Sequence, residues 1–143
     1  MRRLILVFLA MWGALLSGAP PSGATSTPPD PAIAQAIAHA LRRHAPDASW
    51  AIAGIRQYGK WAIGFVARRD PGTGRLLPGE PEVALARYSA GGWDIALPDD
   101  PLYASWLEAA PEALLAPDVK AYLRPQRQAP ANVVGYRLPW PNG

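Results

Sequence analysis

The chain has no cysteine, only two histidines and two phenylalanines, and no apolar run of bilayer-spanning length. Without cysteine there is no disulfide staple and no thiolate nucleophile, so a hydrophobic core must supply the stability. His39 and His44 lie in one helical pattern. Five residues turn an α-helix by about 140° beyond a full revolution, so the two imidazoles do not converge on one metal as an i, i+4 pair does. A G-x-S-x-G elbow is also missing, and with it the sharp strand-to-helix turn that presents a hydrolase serine. Charge is sparse at 17% of residues, and beyond the N-terminal Arg2-Arg3 its basic clusters are only the pairs Arg42-Arg43 and Arg68-Arg69. These read as solvated helix and loop positions, not as a phosphate-binding stripe.

The N-terminus is present as an export signal: Arg2 and Arg3, an apolar stretch from Leu4 to Leu16, then small residues. That stretch is well short of the roughly 20 residues a spanning helix needs, so no stable membrane span is expected after cleavage, an uncleaved anchor being the alternative. Ser22 and Ala24 supply the small −3 and −1 residues, which puts the signal peptide at 1–24 and makes the mature protein secreted or otherwise extracytoplasmic. Two of the 14 basic residues leave with the signal and none of the 11 acidic ones, so 12 stand against 11 and the mature net charge is +1. A surface so nearly balanced argues against nucleic acid as a partner.

Residues 25–31 form a Pro/Ser/Thr-rich linker. An α+β domain follows over 32–123. Asp30-Pro31 pairs a capping acceptor with a residue suited to the first helical turn, and Ile33, Ala36, Ile37, Ala40 and Leu41 recur at helical spacing up to His44. Residues 49–67 read as a hairpin turning at Tyr58-Gly59-Lys60. Trp61, Ile63, Phe65 and Ala67 share one face of its second strand, while on the first a face begins at Trp50 and Ile52 and runs through Gly54 to Arg56 and Tyr58. After the turn-rich loop opened by Asp70, a second hairpin spans Glu82–Ser89 and Trp93–Leu97. Asp99-Asp100-Pro101 repeats the acid-then-proline helix start, Pro111 ends that helix, and short turns are expected at 112–115 and 117–123. The fold class is therefore an N-terminal helix packed on an antiparallel sheet of about four strands, with a second helix after the sheet. Residues 124–143 form a Pro-rich extended tail with a possible strand at Val133–Leu138.

No catalytic, cofactor or metal site is expected. Glu80, Glu82, Asp99 and Asp100 have local roles beside turns and helix starts, and Asp70 alone offers too few oxygens for calcium. The mature tryptophans are the most distinctive residues. Trp50, Trp61 and Trp93 alternate with small or polar neighbours as core positions do, and they are also the candidate ligand-binding residues, since an exposed indole suits cell-wall glycan.

At Gly135-Tyr-Arg-Leu-Pro-Trp-Pro-Asn-Gly143 the sequence resembles the segment that leads into the catalytic domain of exported lysostaphin-like zinc metallopeptidases of the peptidoglycan-hydrolase type. Trp61-Ala-Ile-Gly-Phe, Glu82-Val-Ala-Leu-Ala-Arg-Tyr and Gly92-Trp-Asp-Ile-Ala-Leu resemble the module that precedes such domains. The zinc motifs of that family, H-x-x-x-D and H-x-H, do not occur in the chain. The resemblance thus implies a non-catalytic accessory region, with cell-wall glycan or a peptidase domain as its partner. The alternatives are a stand-alone extracytoplasmic ligand-binding protein and a small hydrolase with an unrecognised site, the latter requiring a histidine in a cleft beside a carboxylate.

Overall fold

The computed structural model describes residues 27–124. The expected signal peptide, the Val133–Leu138 strand, Trp140 and the Gly135–Gly143 segment lie outside the described residues. Helix α1 (Pro31–His44) is followed by strands β1 (Ser49–Tyr58), β2 (Trp61–Arg69), β3 (Glu82–Ser89) and β4 (Gly92–Ala96), then by helices α2 (Tyr103–Ala109) and α3 (Pro117–Leu123). The strands form one antiparallel meander in the order β1-β2-β3-β4. This is the α+β class expected from the sequence. No helix among the described residues is long and apolar enough to cross a membrane.

Side-chain size on the two sheet faces determines how the helices pack. One face presents Ala62, Gly64 and Val66 from β2 beside Ala84 and Ala86 from β3. These small groups let α1 seat deeply, burying Ile33, Ile37, Ala40 and Leu41. The opposite face carries Ile63, Phe65, Val83 and Leu85, which pack with Tyr103, Leu107, Leu114 and Leu115. Both faces of the central strands are thus covered, and the molecule has three layers. The second helical layer is stitched internally. Arg124 Nε donates to Glu108 Oε1 at 2.7 Å, and Lys120 Nζ donates to the Glu108 carbonyl at 3.2 Å and to the Ala110 carbonyl.

Three local features differ from the sequence expectation. The face of β1 does not continue through Gly54 to Arg56. A bulge between Ala53 and Arg56, with Gly54 at φ +58°, reverses the alternation. Ile52 and Ile55 then share the α1 face, and Arg56 lies opposite Ile63 on the other. A left-handed residue is strained with a side chain and free without one, which is why glycine stands at this point. Helix α2 starts later than its acid-proline signal, with Leu102 as the unassisted N-cap; Asp100 Oδ1 instead accepts from Leu102 N at 3.0 Å in the preceding turn. Arg68 and Arg69 are in β2, opposite Trp50 and Ser49, and not in a solvated loop.

The start of α1 is tied to both edges of the sheet through one residue. Asp30 Oδ1 accepts from Ala32 N at 2.9 Å, its Oδ2 accepts from Trp93 Nε1 of β4 at 3.0 Å, and its backbone N–H donates to Gln57 Oε1 of β1 at 2.9 Å. The expected cap is thus also a clasp across the sheet.

Candidate functional site

The three candidate tryptophans fall in three separate settings. Trp93 is structural, bonded to Asp30 and packed edge-on against Tyr88 with ring centroids 5.4 Å apart. Trp61 is half-buried, edge-on to Trp106 at 6.0 Å, with the Arg87 guanidinium 5.5 Å from its centroid. Trp50 lines a cleft of about 360 Å³ together with Val66, Arg68, Leu77, Glu80 and Glu82.

This cleft is built by the far end of the β1–β2 hairpin and the loop that follows it. The bridge from Arg69 to Leu76 and the bond from Leu77 N to the Arg68 carbonyl at 2.9 Å fold residues 76–80 back against β2. Asp70 sets that return, because its Oδ1 accepts from Gly72 N, Thr73 N and Thr73 Oγ1 at 2.7 to 3.0 Å. Those N–H groups, and Thr73 N above all, hold its carboxyl below the ordinary range. An adjoining cleft of about 380 Å³ has Arg68 and Leu77 in its lining as well, with Ser49, Asp47 and Arg69. Both volumes lie at the lower end of the ~300–1,000 Å³ typical of small-molecule sites.

The groove is amphoteric. The Arg68 guanidinium lies 5.2 Å from the Trp50 centroid and forms no ion pair among the described residues. A cation set on an indole face in this way is positioned by the ring quadrupole, and its fork stays available to an anion. Glu82 sits opposite Val66, one strand over from Arg68, and Glu80 accepts a hydrogen bond from Tyr122 Oη. Trp50 Nε1 is the one buried side-chain polar atom among the described residues with no hydrogen-bond partner. Leaving such a donor unsatisfied costs about 1–3 kcal/mol. Sequence alternation marked Trp50 but not Arg68, Glu80 or Glu82, which reach it only through the hairpin register and the folded-back loop.

A second cleft, of about 290 Å³, lies at the C-terminus of α1. There His44 Nε2 is 3.3 Å from Asp99 Oδ2, so one histidine does stand beside a carboxylate in a cleft, as the hydrolase reading requires. Asp99 is 80% exposed and the lining carries no hydroxyl side chain. No hydroxyl or thiol side chain among the described lining residues stands beside the pair, and its contact suits an exposed surface pair. His39 is exposed on α1. Among the described residues no group of three or more His, Cys, Asp or Glu is placed to hold a metal ion.

No protein family, curated protein or solved structure matches the chain.

Proposed function

We propose that this chain is an exported, non-catalytic accessory module that binds a cell-wall fragment on behalf of a peptidase, using the Trp50 groove. The observation that carries this reading is the pairing, in one cleft, of an indole-mounted guanidinium with two carboxylates. Arg68 suits a ligand carboxylate, Glu80 and Glu82 suit an ammonium, and the apolar wall of Val66 and Leu77 suits the carbon skeleton between. A short cell-wall stem peptide with a free amine and a free carboxylate has that chemistry. The export pattern at 1–24 and the resemblance of Gly135–Gly143 to a segment preceding a peptidoglycan-hydrolase domain support the setting.

The test is calorimetric titration of the full chain with a disaccharide-tetrapeptide. Binding is expected, weakened tenfold or more by Arg68→Gln, which keeps the wild-type melting transition, and by Trp50→Phe, which keeps the wild-type circular dichroism spectrum. No heat at millimolar ligand, or unchanged affinity in both variants, refutes the groove as the site. The openness of the groove to solvent also suits a stand-alone binding protein, and the two settings separate on whether the chain raises the activity of a co-expressed cell-wall peptidase.

A further inference from the structure

Glu80 and Glu82 both line the Trp50 groove, and neither forms an ion pair among the described residues. They are held differently. Glu82 opens β3 and is exposed, with no hydrogen-bond donor on its carboxylate among the described residues. Glu80 is in the loop that folds back on β2, and its carboxylate accepts a hydrogen bond from Tyr122 Oη of α3, 42 positions further along the chain.

Helix α3 contains no fully buried residue. Its place is set by the half-buried Val119, Tyr122 and Leu123, which pack against the Ile63 cluster, and by polar ties to α2. Lys120 Nζ donates to the carbonyls of Glu108 and Ala110 at the end of α2, and Arg124 meets Glu108 Oε1 through Nε at 2.7 Å and Nη2 at 2.6 Å. These ties fix the last turn of α3, from which the Tyr122 hydroxyl reaches Glu80.

Resting on the reading of the Trp50 groove as the binding site, we infer that Tyr122 is a positioning residue for Glu80, and that Glu80 so held is the subsite for a ligand's primary ammonium. A free glutamate loses rotamer freedom when it grips a ligand, whereas one held by a phenol has given up part of it on folding. The hydroxyl takes one of the carboxylate's roughly four lone-pair sites and leaves the others open. It also carries no charge, so the negative charge of Glu80 is left for the ligand to neutralise. An ammonium does so with a compact charge and three donors, while an acetamide on the same atom offers one N–H and no charge. Arg68, mounted on Trp50 in the same cleft, repels the ammonium and takes the ligand carboxylate, which fixes the direction in which the ligand lies.

The test is calorimetric titration of the full chain with a disaccharide-tetrapeptide bearing a free amine and with the same compound acetylated at that amine. The parent should prefer the free amine by about tenfold or more, the effect of one charge-assisted contact. Tyr122→Phe, which removes only the hydroxyl, and Glu80→Gln, which removes the charge at nearly constant size, should each cut that preference several-fold, Glu80→Gln more than Glu82→Gln. In the Glu80→Gln background, Tyr122→Phe should leave the remaining preference as it is. A merely structural role for Tyr122 would weaken both forms of the ligand alike and leave their ratio unchanged. No preference in the parent, an unchanged ratio in Tyr122→Phe, or a larger fall in Glu82→Gln than in Glu80→Gln overturns the ammonium subsite while the groove stands. No binding of either form overturns the groove and the subsite together.

Discussion

Gly64 tests how α1 is seated. It occupies the centre of β2 beneath the helix, and a Cβ built on it falls 2.7 Å from Ile37 Cδ1, with Ile55 Cγ1 at 3.6 Å and Ile52 Cγ2 at 3.9 Å. The first contact is roughly 1 Å inside the ~3.5–4.0 Å at which carbon atoms rest. Ile37 is fully buried, so its terminal methyl has no open space to swing into. Gly64→Ala therefore forces either an off-rotamer Ile37 or a lifted helix, an over-packing cost of about 1–3 kcal/mol. Relief of glycine's backbone entropy in a strand returns about 0.5–1 kcal/mol. The net loss is near 1–2 kcal/mol, and each kcal/mol lowers the melting temperature of a domain this size by about 4–8 °C. Ile37→Val removes the offending methyl and alone costs about 0.5–1.5 kcal/mol. The double variant should thus be more stable than the sum of the single losses, by a coupling of the order of 1 kcal/mol. Urea midpoints and thermal melts by circular dichroism for the four proteins measure it. A Gly64→Ala protein as stable as the parent, or single losses that add to within ~0.3 kcal/mol, would refute the close seating of the helix.

Tyr103 Oη donates to the buried Val83 carbonyl at 2.8 Å, so Tyr103→Phe should cost about 1–2 kcal/mol in urea denaturation. Burial, then the nearby charge of Glu82, pushes the Tyr103 phenol above its ordinary value. The unfolded chain ionises near pH 10, so this contribution is complete below about pH 10 and is lost as pH rises beyond it. Midpoints in alkaline buffer should fall more steeply for the parent than for Tyr103→Phe, and equal slopes would disprove the assignment. Asp30 has the opposite sign. The Trp93 indole N–H, then the Ala32 N–H, lowers its carboxyl pKa, giving stability that is present above about pH 4 and lost as pH falls through the folded value. Thermal melts in acidic buffers from about pH 4 downward should show that loss shrinking in Asp30→Asn, and in Trp93→Phe, which removes the larger of the two donors.

Helix α1 was legible because Asp30-Pro31 and the isoleucine spacing are local signals acting over one or two turns. The hairpins were legible because alternation survives even where both faces are buried: small residues mark the helix side of β2 and β3, and large ones the other. The bulge was not, since Gly54 looked like a fading pattern and only its positive φ shows that the faces exchange. Nor was the Asp30–Trp93 clasp, which joins residues 63 positions apart and leaves no periodic trace. Alternation placed Trp50, Trp61 and Trp93 on strand faces, but did not tell which of them stands at an edge. Trp50 lines a groove because β1 is an outer strand and the 76–80 loop folds back along the adjoining end of β2.

The same packing limits where any ligand can go. With α1 on one face of the central strands and α2 and α3 packed on the other, the described core has filled the space that an open sheet would offer to an enclosed small molecule. The arginine–aromatic pairs stand at the ends of β2, with Arg68 on Trp50 at one end and Arg87 on Trp61 at the other. Arg68 and Arg87 are exposed and can change without endangering the fold, whereas Trp50 and Trp61 also pack against the two core clusters, and the two ends can change separately because they share no partner. A core filled on both sheet faces thus leaves the margins of the sheet, and not its faces, as the place where the proposed accessory role is to be tested.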